Sequence, residues 1–346
     1  MNVTPHPTVD IAPHDGVGSS VASGTFEFVG LDTPTPHRIS TGVVMPHAIG
    51  DSMYLMVLLR NLLHRGDTLT LVGGIIYPLR DWFPYAHFVP DPAIGEMPNA
   101  LAGYDHLIQM FPRKIGGVLA SDHFDANRLL QLIDLPGFRQ RSHVLASMQA
   151  IAEQQFGLTG TLFTENGIQA PAHLLRQRYA NRVVIHPVAS NVFKTWTPQK
   201  FVALARHLKA RDLSPCFVVP PVDAHLWRTN APDIDIAAFD NLADVAALLY
   251  ESGWFIGNDS GIGHLASALG LPTLSLFPRA GLARRWRPGW GNNVVALPLP
   301  LMPITKLKER FWKPLLPLSR AITAFETLRI EELKRANMPQ ALCTIT

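Results

Sequence analysis

The chain has 346 residues, 47% hydrophobic and only 16% charged, which is too long for one small core and too apolar for a disordered protein. Its net charge of +3 conceals an asymmetry: residues 1–170 carry 9 Lys/Arg against 15 Asp/Glu and residues 171–346 carry 21 against 12, so the second half suits an anionic ligand or is simply a soluble basic surface. Two distant cysteines, Cys216 and Cys343, give no disulfide framework and no zinc spacing, and neither an apolar leader before Arg38 nor a run of about 18–20 apolar residues is present, so the expectation is a cytoplasmic protein, soluble or membrane-peripheral.

Residues 1–37 are rich in Pro, Gly, Ser and Thr without periodicity and read as a flexible tail. A strand–helix alternation then begins: ISTGVVM (39–45) as a buried strand, MPHAIGD as a loop, SMYLMVLLRNLLHR (52–65) as an apolar helix and TLTLVGG (68–74) as a second strand, with HFVP and DHLIQMF continuing the run. The stretch 111–180 reads as mostly helical and shapes the acceptor side. A second alternation follows: the strand RVVIHP (182–187), a helix over 197–212 with Thr197 as N-cap and Pro198 as N1, and the strands CFVVPP and IDIAAF. The helix 241–252, the strand WFIGND, the helix 261–270 and the strand TLSLFP complete it. The expected fold is therefore α/β, with two Rossmann-like domains, 38–178 and 179–304, facing a central cleft. Residues 305–346 read as helices that cross back to the first domain.

Three strand-to-helix junctions carry candidate chemistry. In NDSGIGHLASALGLPTLSLFP (258–278) a buried strand ends at Asp259, and Ser260, Gly261, Ile262, Gly263 and His264 open a helix. Glycines admit a close ligand and free first-turn amides attract anions, so this is a phosphate site or, on the plainer reading, a tightly packed turn. Asp259 alone makes no metal site and orients the loop or a hydroxyl. In HPVASNVFKTWTPQKF (186–201), Ser190 and Lys194 precede a capped helix; Lys194 neutralises a leaving diphosphate or is a solvated loop lysine. In MPHAIGDSMYL (45–55), Gly50 permits a tight turn, and Asp51 is a helix cap or a general base, with His47 as a competing base or acceptor contact.

Together these motifs resemble glycosyltransferase family 9, the lipopolysaccharide heptosyltransferases. The resemblance rests on Gly50-Asp51, on His186-Pro187-Val188-Ala189-Ser190 with Lys194 and Trp196, on Asp259 to Ala266 followed by Pro272-Thr273, and on WRPGWGNNVV (286–295). It implies a GT-B fold and an inverting, metal-independent transfer without a cofactor. It also implies a nucleotide-diphosphate sugar donor, usually ADP-heptose, and a glycan or lipid-linked acceptor of the cell envelope. By the same likeness Asp51 is the base, Ser190 and Lys194 contact the diphosphate, and the 260–264 backbone cradles it. Asp240 lies where the family often has an acidic residue near the ribose, and Arg279 is an accessory candidate. The chain departs from the pattern at Val188, where the family has Gly, and in the arginine-rich loop 279–287.

The main rival is a non-catalytic nucleotide-sugar-binding protein of the same fold. A dinucleotide-dependent oxidoreductase is disfavoured because neither half has G-x-G-x-x-G after its first strand. Dispersed basic residues without a stacking module argue against nucleic acid. Residues 304–320 mix Lys306, Lys308, Arg310, Lys313 and Arg320 with Phe311, Trp312, Leu315 and Leu316, the composition of a membrane-surface contact or of a crossover helix.

Overall fold

The computed structural model describes residues 39–337 apart from 94, 116–117, 120–123, 141, 190 and 301–310. The tail expected over 1–37, Ser190 and the first part of the 304–320 segment lie outside the described residues. The first half comprises β1 (Thr41–Val44), α1 (Ile49–Arg65), β2 (Leu69–Val72), β3 (His87–Val89), α2 (Met97–Ala102) and β4 (His106–Gln109). A short antiparallel pair, β5 (Lys114–Ile115) and β6 (Val118–Leu119), precedes β7 (Leu129–Gln131), α3 (Pro136–Arg139) and α4 (Val144–Gln154). The main sheet is parallel, in the order β3-β2-β1-β4-β7.

The second half runs β8 (Tyr179–His186), α5 (Pro198–Lys209), β9 (Ser214–Val219), α6 (Pro221–Asn230), β10 (Asp235–Ala238) and α7 (Leu242–Tyr250). It continues with β11 (Ser252–Asn258), α8 (Gly261–Ala268), β12 (Thr273–Leu276), α9 (Ala280–Trp286), β13 (Asn293–Ala296) and α10 (Leu318–Ala336). Its sheet is parallel in the order β10-β9-β8-β11-β12-β13. In each sheet the strand order reverses beside the first strand, at β1/β4 and at β8/β11. Such switch points open a crevice beyond the carboxyl ends of the strands.

Helix α1 explains itself from its sequence. Met53 to Leu59 are all buried, and a helix apolar on every side must be covered on every side. It lies against α4 of its own half and against α8 of the other. Gly66 ends it with φ 108°, a left-handed cap that only glycine adopts without strain. Thr197 and Pro198 open α5 as N-cap and N1, as expected, although the Thr197 hydroxyl makes no cap hydrogen bond.

Three expectations are corrected. The stretch 111–180 is not mostly helical: α3 and α4 are its only α-helices among the described residues, and 157–178 run as irregular chain. Gly157, Gly160 and Gly167 hold positive φ there, which no helix tolerates. Helix α6 begins at Pro221, so the Pro220-Pro221 pair closes a strand and opens a helix. The described end of the chain does not cross back, because α10 packs against β12, β13 and α5. Trp312, Leu316, Ala321, Phe325 and Leu328 belong to the buried core of the second half. Two of the apolar anchors of the membrane-surface reading, Trp312 and Leu316, are thus fully buried. No described helix is long and apolar enough to cross a membrane.

Candidate functional site

The carboxyl ends of β8 and β11 are tied together from inside. Asn258, fully buried at the end of β11, accepts the Trp196 amide on Oδ1 (2.9 Å) and donates from Nδ2 to the Pro187 carbonyl (2.9 Å). One side chain thereby fixes both ends of the loop 187–196. Within it, Asn191 caps the turn Val192–Lys194 by accepting the Phe193 amide, and Trp196 is buried beneath. This mounting delivers Lys194 Nζ to 2.9 Å from Asp259 Oδ2. The Asp259 side chain is 7% exposed and that of Lys194 40%, so the pair is buried on the acid side and open on the amine side.

Helix α8 starts immediately after Asp259. Ser260 is its N-cap residue but gives no side-chain cap, and its Oγ is buried without a hydrogen-bond partner among the described residues. The Gly263 amide bonds back to the Ser260 carbonyl (3.1 Å), while the amides of Gly261 and Ile262 have no intrahelical acceptor and aim their partial positive charge out of the helix. His264 is buried, with Nδ1 lacking a partner among the described residues. Burial first, then the nearby His143 and Lys194, pushes its pKa down to about 3, so it is a neutral imidazole.

The N-terminus of α1 meets this point from the other half. A Cβ on Gly50 would lie 2.6 Å from His264 Cδ2, and a Cβ on Gly261 would lie 2.6 Å from Ile49 Cβ. The two glycines therefore let two helix N-termini touch. Gly50 is not a turn residue, as its sequence context had implied, but the second residue of α1. Asp51 follows it in the first turn. Ala48, not Asp51, is the N-cap, and α1 has no side-chain cap; the Asp51 carboxylate makes no hydrogen bond among the described residues. Burial raises its pKa from 3.8 to about 6, with Lys194 pulling it down and Asp259 pushing it up. Asp51, Lys194 and Asp259 thus share one electrostatic neighbourhood drawn from both halves.

Contacts invisible in the sequence hold the halves at this distance. The Tyr54 hydroxyl donates to the Arg287 carbonyl (2.7 Å), and its ring stacks on Trp290. His143 accepts the Leu145 amide on Nδ1, so Nε2 carries the proton and donates to the same carbonyl (2.8 Å). Arg285 reaches the carbonyls of Phe138, Gln140 and Ser142 and the Ser147 hydroxyl. Trp290 Nε1 donates to the Thr164 carbonyl (2.7 Å). The arginine-rich loop and the WRPGWG segment therefore serve as a clamp between the halves.

The remaining candidates fall around this centre. His47 accepts Arg113 Nε on its Nε2 (3.0 Å), and Arg113 also donates to the Met45 carbonyl and to both oxygens of Asp91. That nitrogen lone pair is already engaged, which weakens His47 as a competing base. Asp240 is exposed beyond β10, an edge strand two positions from β8. Arg279 is the half-buried N-cap residue of α9. Val188 is partly buried against the second core, a packing role for the residue that replaces the family's glycine. His186 is buried, with Nδ1 at 2.9 Å from the Val218 carbonyl and a pKa pushed by burial to about 4. Sequence reasoning missed Asn258, Tyr54, His143 and Arg113; Asn258, in the NDSG motif, and Tyr54, in MPHAIGDSMYL, lay within stretches already singled out. A separate cavity of about 550 Å³, lined by Arg178, Tyr179, Arg182, Ser214, Cys216 and Asp235 among others, opens at the amino ends of β8 to β10, away from this group.

A family model, glycosyltransferase family 9 (heptosyltransferase), matches residues 132–310, just over half of the chain. The chain belongs to glycosyltransferase family 9. Among curated relatives, lipopolysaccharide heptosyltransferase 3 of Escherichia coli is 32% identical over 123 residues, covering 33% of this chain and 36% of that protein. The chain thus spans only about a third of the curated relative's length in that match. Among solved structures, the glycosyl transferase family 9 protein of Veillonella parvula DSM 2008 superposes with a TM-score of 0.65 at 17% identity, over 85% of this chain and 98% of that one. The E. coli ADP-heptose lipopolysaccharide heptosyltransferase II gives 0.64 at 16% identity, over 85% and 99%. This family 9 chain has the GT-B fold of two Rossmann-like halves.

Proposed function

We propose that the protein is an inverting, metal-independent glycosyltransferase. It moves a sugar, heptose by analogy with the relatives' names, from a nucleotide-diphosphate donor to a hydroxyl of a cell-envelope glycan or lipid-linked acceptor. The observation that carries this reading is the meeting of Asp51, from one half, with Lys194 and the α8 N-terminus, from the other, across the Gly50–His264 contact.

The chemistry follows from that arrangement. As the bond between the anomeric carbon and the diphosphate breaks, its electron pair leaves with the phosphate oxygen and positive charge grows on the sugar ring. The Lys194 ammonium and the free amides of Gly261 and Ile262 meet the departing negative charge with fixed dipoles that need no reorganisation. Asp51, on the opposite wall, takes the proton of the attacking acceptor hydroxyl and so directs attack on the far face of the sugar, which inverts the anomeric centre. Its pKa near 6 leaves it ionised at neutral pH yet more basic than an ordinary carboxylate, the range in which a general base works best.

The test is incubation with ADP-heptose and a panel of other nucleotide sugars, with acceptor glycans present and EDTA added, scored for acceptor-dependent nucleotide release. Release that persists in EDTA is expected. No release from any donor contradicts the enzymatic reading, and release abolished by EDTA contradicts metal independence.

A further inference from the structure

The ion pair at the centre of the site poses a physical problem. A carboxylate 7% exposed stands directly before a helix N-terminus proposed to receive a diphosphate. A like charge there opposes the ligand, and Asp259 already occupies the lysine that the ligand needs, at 2.9 Å. The main chain that carries Asp259 is fixed, and its side chain is enclosed. Its amide is bonded to the Leu276 carbonyl (3.2 Å), and its neighbour Asn258 is locked to both ends of the facing loop. Lys194 has the mobile partner's role: its side chain is 40% exposed and sits at the end of a short turn on the loop 187–196.

We infer that Asp259 is the resident counter-ion of Lys194, which the diphosphate displaces on binding and which reclaims the lysine to expel the nucleoside diphosphate product. This inference rests on the proposed reaction and adds a product-release step to it. Transfer itself supplies the asymmetry. While the donor is intact its second phosphate is a diester bearing one charge; once the glycosidic bond breaks, that phosphate becomes a terminal group with up to two. The repulsion from a fixed carboxylate therefore grows at the moment the product must leave. Without Asp259 an unbalanced ammonium and a helix N-terminus would hold the product with nothing to compete. The counter-ion also gives Lys194 a defined place in the empty site, so less side-chain entropy is lost when the donor arrives.

The experiment compares binding of ADP and of inorganic pyrophosphate by calorimetry to the wild-type chain, Lys194→Ala and Asp259→Asn, with nucleotide release followed by stopped flow. Asp259→Asn keeps the side-chain shape and is expected to bind ADP about tenfold more tightly, to release it about tenfold more slowly and to show stronger product inhibition. A residue that merely supports the loop gives weaker binding when altered, so a gain in affinity separates the two roles. Equal or weaker ADP binding by Asp259→Asn overturns the inference while leaving the proposed function intact. If instead Lys194→Ala binds ADP as the wild type does, the diphosphate assignment itself fails. Should Asp259→Asn not fold by circular dichroism, the smaller Asp259→Ser is measured under the same criteria.

Discussion

The two halves of the cleft are built by different means. On the second half, Lys194, Asp259 and the α8 N-terminus are held by hydrogen bonds within that half, chiefly through Asn258, which joins the strand-end loops. On the first half, Asp51 makes no hydrogen bond among the described residues and rests in the first turn of α1, which packs on α4 of its own half and meets the α8 N-terminus of the other. The proposed donor side is thus self-supporting, whereas the proposed base stands at the contact between the halves. Donor binding and turnover should accordingly respond to different substitutions.

Gly50→Ala should separate them most sharply. The added methyl would stand 2.6 Å from the buried His264 ring, so α1 must move away from α8 although alanine is the better helix former. Turnover is expected to fall about ten- to hundredfold, with ADP affinity by calorimetry within about threefold of the wild type. A parallel fall in both would mean that the donor side also depends on the interface.

Asn258→Ala should act in the opposite sense. It leaves the Trp196 amide and the Pro187 carbonyl buried without partners, a cost of about 1–3 kcal/mol each. A lower melting temperature and an ADP affinity weakened about tenfold are expected, because the loop that presents Lys194 loses its mooring. Unchanged ADP affinity would show that the loop is held elsewhere.

The smallest effects concern pH. If Asp51 must be ionised, kcat/KM for the donor should be half-maximal at about pH 6 and fall tenfold per unit well below it. The same shift bears on stability. The folded protein holds the Asp51 proton more tightly than the unfolded chain does, because burial disfavours the carboxylate. Asp51 therefore costs stability above about pH 6, and this cost disappears below about pH 4, where both states are protonated. Asp51→Asn should then melt no lower than the wild type at pH 8, whereas loss of a helix cap would lower the melting temperature at that pH.

The same contrast governs what the sequence made legible. The donor side could be read because its residues are contiguous: 186–201 and 258–278 each carry a strand end, a loop and a helix start in one stretch. The interface could not, because Tyr54 and Arg287 are 233 residues apart and Ser142 and Arg285 are 143 apart, and no periodicity links them. Gly50 was readable as a glycine with a purpose but not as a helix-contact glycine, since the residue it accommodates, His264, belongs to the other half. The strand–helix alternation gave both sheets apart from β7 and β13, and it failed over 111–180, where glycines in left-handed conformations replace regular structure.

Asp51→Asn, assayed for turnover and ADP affinity on the same preparation, tests the central claim most directly. The carboxamide keeps the shape of the side chain and its place in α1 but cannot take a proton from an acceptor hydroxyl. Turnover should fall on the order of a hundred- to ten-thousand-fold, while ADP binding stays within about threefold, because the proposed donor site lies on the second half. Turnover within threefold of the wild type would contradict the assignment of Asp51 as the base and, with it, the account of a cleft whose catalytic group is placed by the contact between its halves.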